Sequence, residues 1–305
     1  MAREDPGGRR HPPERPSVQH PSVRLGSGLL AEIVPDRFVA GAFELVVDGT
    51  PQSHVDLGDP RTLFFEYVQR MGHVIDRLAP AGEPITAVHL GAGALTIPRY
   101  VHATRPGSRQ QVIELERPLV DLVRAELPLP RDAAVRVRYG DARAALDRLP
   151  AALESAVDLV VVDVFAGART PAHVTTVEFY RRVAALLAPS GVVLANIADG
   201  PGLGFARGQA ATLAHVFGAR PDAGTVAVLA DAALLRGRRY GNVVLAASPS
   251  ALPLDWLPRL LAAGPHPARV LGGRELSDWV AGAAIVTDAT AVPSPPPQRS
   301  VFQTR

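Results

Sequence analysis

From residue 84 onward, short apolar runs alternate with stretches whose apolar residues recur every three or four positions, the mark of strands interleaved with amphipathic helices. The pattern predicts strands at 85–90, 110–114, 135–138, 157–163 and 191–197, and near 225–230 and 242–247. Between them it predicts helices near 95–104 and at 117–126, 141–149, 176–187 and 205–217. Such alternation specifies an α/β domain: a parallel sheet covered on both faces by helices, with ligands at the carboxyl ends of the strands. The upstream pattern is different. Between residues 23 and 56, β-like runs at 29–34, 38–39 and 43–47, followed by an Asp48-Gly49 turn, predict a small antiparallel sheet. Leu63, Tyr67, Met71, Val74 and Leu78 then mark one face of an amphipathic helix over 62–78.

These changes of texture divide the chain. Residues 1–22 are polar, charged and Pro-rich and are expected as a disordered tail; 23–79 hold the small sheet and linking helix; 80–288 form the α/β domain; and the Pro- and Ser-rich stretch 289–305 reads as a second flexible tail. With 305 residues, 47% of them hydrophobic, the chain can bury a full core. Its longest apolar runs, such as 157–164, are broken by Asp158 and Asp163 and are far shorter than a membrane span, so no membrane association is expected. The Arg- and Pro-rich N-terminus lacks the apolar core of a secretory signal, which makes the cytoplasm the expected compartment.

The absence of cysteine excludes disulfides, thiolate metal sites and a cysteine nucleophile. The nine histidines are scattered without ligand spacing, so no metal is expected. A net charge of +2 from dispersed arginines, with 5% aromatic residues, lacks the concentrated basic face and stacking platforms of a nucleic-acid binder.

The strand at 85–90 runs straight into Gly91-Ala92-Gly93, and the next strand ends on Glu114, with Glu116 two residues on. That layout suits a nucleoside: a glycine loop lets the backbone approach the ligand, and an acid at the following strand end takes the ribose hydroxyls. The third and fourth strand ends add Gly140-Asp141 and Asp163. The Asp141 carboxylate can accept from an adenine amino group, or equally cap the helix it precedes; Asp163 falls where a reacting centre would lie.

Further segments join these: Asp48-Gly49-Thr50-Pro51-Gln52, Tyr67 with His73 six residues on, the strand from Asp158 to Asp163, Glu178-Phe179-Tyr180, Leu187-Ala188-Pro189-Ser190-Gly191, and Gly241-Asn242-Val243-Val244-Leu245. From about Phe43 to Ala247 the ordered set resembles the spermidine synthase family, aminopropyltransferases built on a Rossmann-like methyltransferase fold with a small N-terminal β domain. The resemblance implies transfer of an aminopropyl group from decarboxylated S-adenosylmethionine to an amine such as putrescine, with release of methylthioadenosine. The nucleoside is then a co-substrate, and no cofactor is bound permanently. Asp163 would be the base and Tyr67 would orient the amine. Gln52 and His73 would cover the ligand pockets, beside Gly91, Gly93, Glu114, Gly140 and Asp141. The plain alternatives are a hairpin residue for Gln52, a core position for Tyr67 and a helix-end histidine for His73. A homodimer is also implied.

Two positions depart from the family. Ala94 stands where the glycine loop usually carries an acid for the ammonium end of the aminopropyl group, and Ala166 stands where the strand-end motif usually carries a second carboxylate for the amine. Each missing charge partner costs about 2–5 kcal/mol of cation binding in a partly desolvated site. Asp56, Asp59 and Asp199 are the candidates to replace them. Three readings therefore stand: an aminopropyltransferase with an altered amine site, a methyltransferase using intact S-adenosylmethionine, and a non-catalytic nucleoside-binding protein.

Overall fold

The computed structural model describes residues 19–218 and 224–297. Four short strands open the chain, β1 (Ser22–Arg24), β2 (Leu30–Pro35), β3 (Ala42–Val47) and β4 (Thr50–Asp56), and pair antiparallel in that order. Residues 38–39, expected in a strand, instead lie in the turn between β2 and β3. The Asp36 carboxylate accepts from the Phe38 and Val39 N–H groups, which holds the turn and leaves Phe38 95% exposed. Helix α1 (Glu66–Ile75) is shorter than the predicted 62–78.

The second sheet is laid down by β5 (Thr86–Leu90), α2 (Thr96–Thr104), β6 (Arg109–Glu114), α3 (Arg117–Glu126), β7 (Val135–Tyr139), α4 (Ala142–Leu146), β8 (Val157–Val162), α5 (Val177–Leu186), β9 (Leu187–Asp199) and α6 (Gly204–Val216). It is completed by β10 (Val226–Asp231), α7 (Ala232–Leu235), β11 (Gly241–Ala247), α8 (Leu257–Ala262), β12 (Ala268–Gly272) and α9 (Gly273–Val280). The strand order is β12-β10-β11-β9-β8-β5-β6-β7. The run β9-β8-β5-β6-β7 is parallel, as expected, but β11 enters antiparallel between β9 and β10, and β12 adds a further antiparallel edge. The sheet is therefore mixed. The pattern of residues 225–247 showed two strands without their direction, and the Pro-interrupted segment holding α8, β12 and α9 carries too short a periodicity to be read.

Strand β8 shows why the sheet is sandwiched. Val160 and Val162 join the cluster under α4, α5 and α6, while Leu159 and Val161 face the cluster under α1, α2 and α8. A strand buried on both faces reads as continuous apolar sequence, which is what residues 159–162 are. A third cluster joins Ala31, Ile33, Leu45 and Val55 of the small sheet to Leu119, Val120, Val123 and Leu127 in and beyond α3. The N-terminal sheet thus shares a core with the α/β domain. Among the described residues no helix is long and apolar enough to cross a membrane.

The segment expected as a flexible tail from residue 289 is packed as far as it is described. Ser294 is fully buried, its Oγ accepts from the Thr170 N–H at 2.9 Å, and its own N–H donates to the Thr170 carbonyl at 3.0 Å. The part of the N-terminal tail before residue 19 and the chain after residue 297 lie outside the described residues.

Candidate active site

A cavity of about 1070 Å³ opens over the carboxyl ends of β5, β6, β7 and β8 and is roofed by β3, β4 and the start of α1. Gln52, Tyr67, Gly91, Gly93, Glu114, Gly140, Asp141 and Asp163 all line it.

The glycine loop is fixed by close contacts. Gly91 has φ +93°, and a Cβ there would stand 2.2 Å from the Asp163 carbonyl oxygen, so only glycine lets the loops after β5 and β8 touch. Gly93, with φ +48°, would bring a Cβ within 2.5 Å of the Ser53 Oγ on β4. At the end of β6, Glu114 accepts from the Ala92 N–H through Oε2 at 2.8 Å and from the Glu116 N–H through Oε1 at 2.9 Å. Each oxygen keeps a further lone pair for a hydroxyl donor. Glu116, also in the wall, accepts from the N–H groups of Gly26 and Ser27 at 2.6 and 3.0 Å and thereby holds the loop after β1.

Asp141 caps α4, accepting from the Ala144 N–H at 2.9 Å, and its other oxygen meets the His173 ring at 2.7 Å. Burial opposes its ionisation, but the Ala144 N–H and the His173 ring outweigh burial and hold the carboxyl below the usual range. His173 was not singled out from sequence. His89 in the same wall bonds Gln110, and burial pushes it down to about 4, so it stays neutral.

Asp163 lines the cavity at the carboxyl end of β8. The Tyr67 hydroxyl donates to its Oδ2 at 3.3 Å, the Asn196 amide of β9 donates to its Oδ1 at 2.8 Å, and Asn242 of β11 donates to the Asn196 Oδ1 at 3.1 Å. Burial raises the Asp163 carboxyl against the opposing pull of these two hydrogen bonds. Burial, and then the Asp163 charge, pushes the Tyr67 phenol well above its ordinary value. Asn196 is the residue sequence reasoning missed; its one signal was an amide inside the apolar run 192–197.

His73 is not part of this site. Six residues turn a helix through about 240° beyond a full revolution, so His73 leaves the Tyr67 face. Its Nε2 pairs with the Gly264 carbonyl oxygen at 2.8 Å, in the loop after α8. None of the candidate replacement acids reaches the cavity either. Asp56 accepts from the Gly58 and Asp59 N–H groups, Asp59 pairs with Arg61, and buried Asp199 accepts from the Gly200 and Ala206 N–H groups at the start of α6. Ala94 is wholly buried in the third core cluster and is absent from the cavity wall, whereas Ala166 lines it.

The chain superposes on a probable spermidine synthase from Corynebacterium glutamicum with a TM-score of 0.78 and 31% identity, over 88% of this chain and 95% of that one. The chain belongs to the spermidine synthase family. Its members are aminopropyltransferases, and its fold is the methyltransferase-like α/β fold with a small N-terminal antiparallel sheet. A polyamine aminopropyltransferase of Vibrio vulnificus is 29% identical over 137 residues, which are 45% of this chain and 44% of the relative, so the match spans less than half the length of that curated protein. A spermidine synthase in complex with the transition state analogue AdoDATO shares the fold, with a TM-score of 0.53 at 16% identity over 77% of this chain and 74% of that one. No protein-family model matches the sequence.

Proposed function

We propose that the protein transfers an aminopropyl group from decarboxylated S-adenosylmethionine to an amine nitrogen and releases methylthioadenosine. The observation that carries this reading is the Tyr67–Asp163–Asn196 group, which stands beside a nucleoside-type wall on the floor of one cavity. In this reading Glu114 binds the ribose hydroxyls, Asp141 and Gly140 border the base, Gly91 and Gly93 let the backbone approach the sulfonium region, and Gln52 covers it from β4. The amine nitrogen forms a bond to the carbon next to sulfur. The carbon–sulfur bond breaks with its electron pair going to sulfur, and the displaced proton of the nitrogen goes to Asp163.

A carboxylate with a raised proton affinity suits that last step, because general-base efficiency grows as the pKa approaches the working pH. Tyr67 remains protonated and donates, so it orients the carboxylate and takes no proton. The reaction needs no permanently bound cofactor. We further propose that the protein works in the cytoplasm as a homodimer.

Methyl transfer from intact S-adenosylmethionine is the second reading, favoured by Ala166, which leaves the cavity wall without a second carboxylate for a cationic amine. Chromatography of the products separates the two. Incubation with the decarboxylated donor and a mixture of amines is expected to yield methylthioadenosine; S-adenosylhomocysteine formed from the intact donor, with no methylthioadenosine from the other, would replace the first reading by the second.

A further inference from the structure

Strand order sets out the cavity as a line. The nucleoside wall lies over β7, β6 and β5, the reacting carboxylate over β8, and beyond it come β9, β11 and β10. An acceptor entering opposite the nucleoside therefore meets the ends of β9, β11 and β10 and the cavity-facing side of α1. Two guanidinium groups stand there. Arg70 lies one helical turn after Tyr67, and Arg239 immediately precedes Tyr240 at the start of β11; both line the cavity.

The carboxylates of this end are already engaged. Glu66 Oε2 lies 3.2 Å from Nη2 of both Arg70 and Arg239, and Asp231 Oδ2 lies 3.1 Å from Arg239 Nη2. Asp163, at the end of β8, faces no guanidinium; its partners are Tyr67 and Asn196. An ammonium group finds one carboxylate here. A second ammonium, the far end of a diamine, would meet the two arginines.

Arg70 also lacks partners. Its side chain is 2% exposed, yet it makes one ion-pair contact, and its Nε has no hydrogen-bond partner among the described residues. A guanidinium held by a single ion pair has N–H groups to spare, and a carboxylate is the acceptor that matches their fork geometry. An ion-pair quartet ties α1 to the β10–β11 edge, and Arg70 and Arg239 still line the cavity from within it.

We propose that Arg70 and Arg239 form a carboxylate subsite, and that the acceptor is an amino carboxylate whose amine faces Asp163 and whose carboxylate displaces Glu66 from the arginine pair. This rests on the reading of the cavity as an amine-transfer site, and it accounts for the absence of an acid at Ala166. The transfer keeps its balance: nitrogen–carbon bond formed, carbon–sulfur bond broken toward sulfur, proton to Asp163, and the acceptor carboxylate unchanged.

The test is calorimetric titration of the full chain, saturated with methylthioadenosine, with 4-aminobutyrate and with 1,4-diaminobutane. The wild type is expected to bind 4-aminobutyrate about tenfold more tightly, and Arg70→Met and Arg239→Met are each expected to erase that preference, a loss of about tenfold. Arg239 is half-exposed, so its variant keeps the test decisive where Arg70→Met does not fold. Tighter binding of the diamine, or a ratio unmoved by Arg239→Met, overturns the subsite. If the arginine variants weaken only intact S-adenosylmethionine and not its decarboxylated form, the carboxylate is the co-substrate's and the acceptor assignment fails. Methylthioadenosine release is measured in parallel. Arginine-dependent binding without release keeps the subsite and removes aminopropyl transfer, whereas release with a diamine at an unchanged ratio does the reverse.

Discussion

The two halves of the cavity are built on different principles. In the half proposed for the nucleoside each wall carboxylate has a backbone anchor: Glu114 in the Ala92 and Glu116 N–H groups, Asp141 in that of Ala144, Glu116 in those of Gly26 and Ser27. In the half proposed for the acceptor, side chains hold side chains, as in the chain from Tyr67 through Asp163 and Asn196 to Asn242, or the two arginines around Glu66. Backbone anchors depend little on the identity of neighbouring side chains, whereas a side-chain network fails when any one member is replaced. At that end the cavity wall carries Ala166, with no carboxylate, and two arginines, Arg70 and Arg239, paired with Glu66 and Asp231.

The largest effect expected in the nucleoside half is that of Glu114→Ala. The substitution removes a charged acceptor shared by two backbone donors and, in the proposed complex, by the ribose. Methylthioadenosine affinity measured by calorimetry should fall about a hundredfold, the scale of two hydrogen bonds to a charged group. A change within a factor of about three would mean that the nucleoside does not sit on β6.

A smaller effect is expected across the boundary between the halves. Tyr67→Phe removes a hydrogen bond that lowers the Asp163 pKa, so the carboxyl should rise further. Asp163 accepts a proton only when ionised, so kcat/KM falls as pH falls through its raised pKa. The acid limb of the profile should therefore lie above the ordinary carboxylate range in the wild type and move to still higher pH in the variant. The loss at saturating pH should be about tenfold or less, with nucleoside affinity unchanged. An acid limb that stays in place would detach the limb from Asp163.

The same contrast explains what the sequence revealed. Gly91, Gly93, Glu114, Asp141 and Asp163 were legible because each follows an apolar run at a strand end, and a local motif of strand, turn and helix positions it without help from distant chain. Asn196, Arg70 and Arg239 were not, because their meaning depends on β11 inserting antiparallel between β9 and β10 and on which face of α1 meets that edge. His73 lies off the cavity wall for the same reason: a six-residue spacing from Tyr67 fixes a helical phase, and that phase points to Gly264. The C-terminal segment shows the limit of composition. Its prolines and serines suggest flexibility, yet Ser294 pairs with Thr170 through two hydrogen bonds that only the folded chain brings within reach.

If Asp163 accepts the proton of an attacking amine in a cavity that binds the nucleoside independently, turnover and nucleoside binding separate at this residue. The most direct measurement compares Asp163→Asn with the wild type in two assays, methylthioadenosine release from decarboxylated S-adenosylmethionine and calorimetric binding of methylthioadenosine. The variant keeps the side-chain shape and the neighbours at Tyr67 and Asn196 but cannot take a proton. Turnover is expected to fall about a hundredfold or more, with nucleoside affinity held within about threefold. Wild-type turnover in the variant, or a parallel loss of both turnover and nucleoside binding, would contradict it.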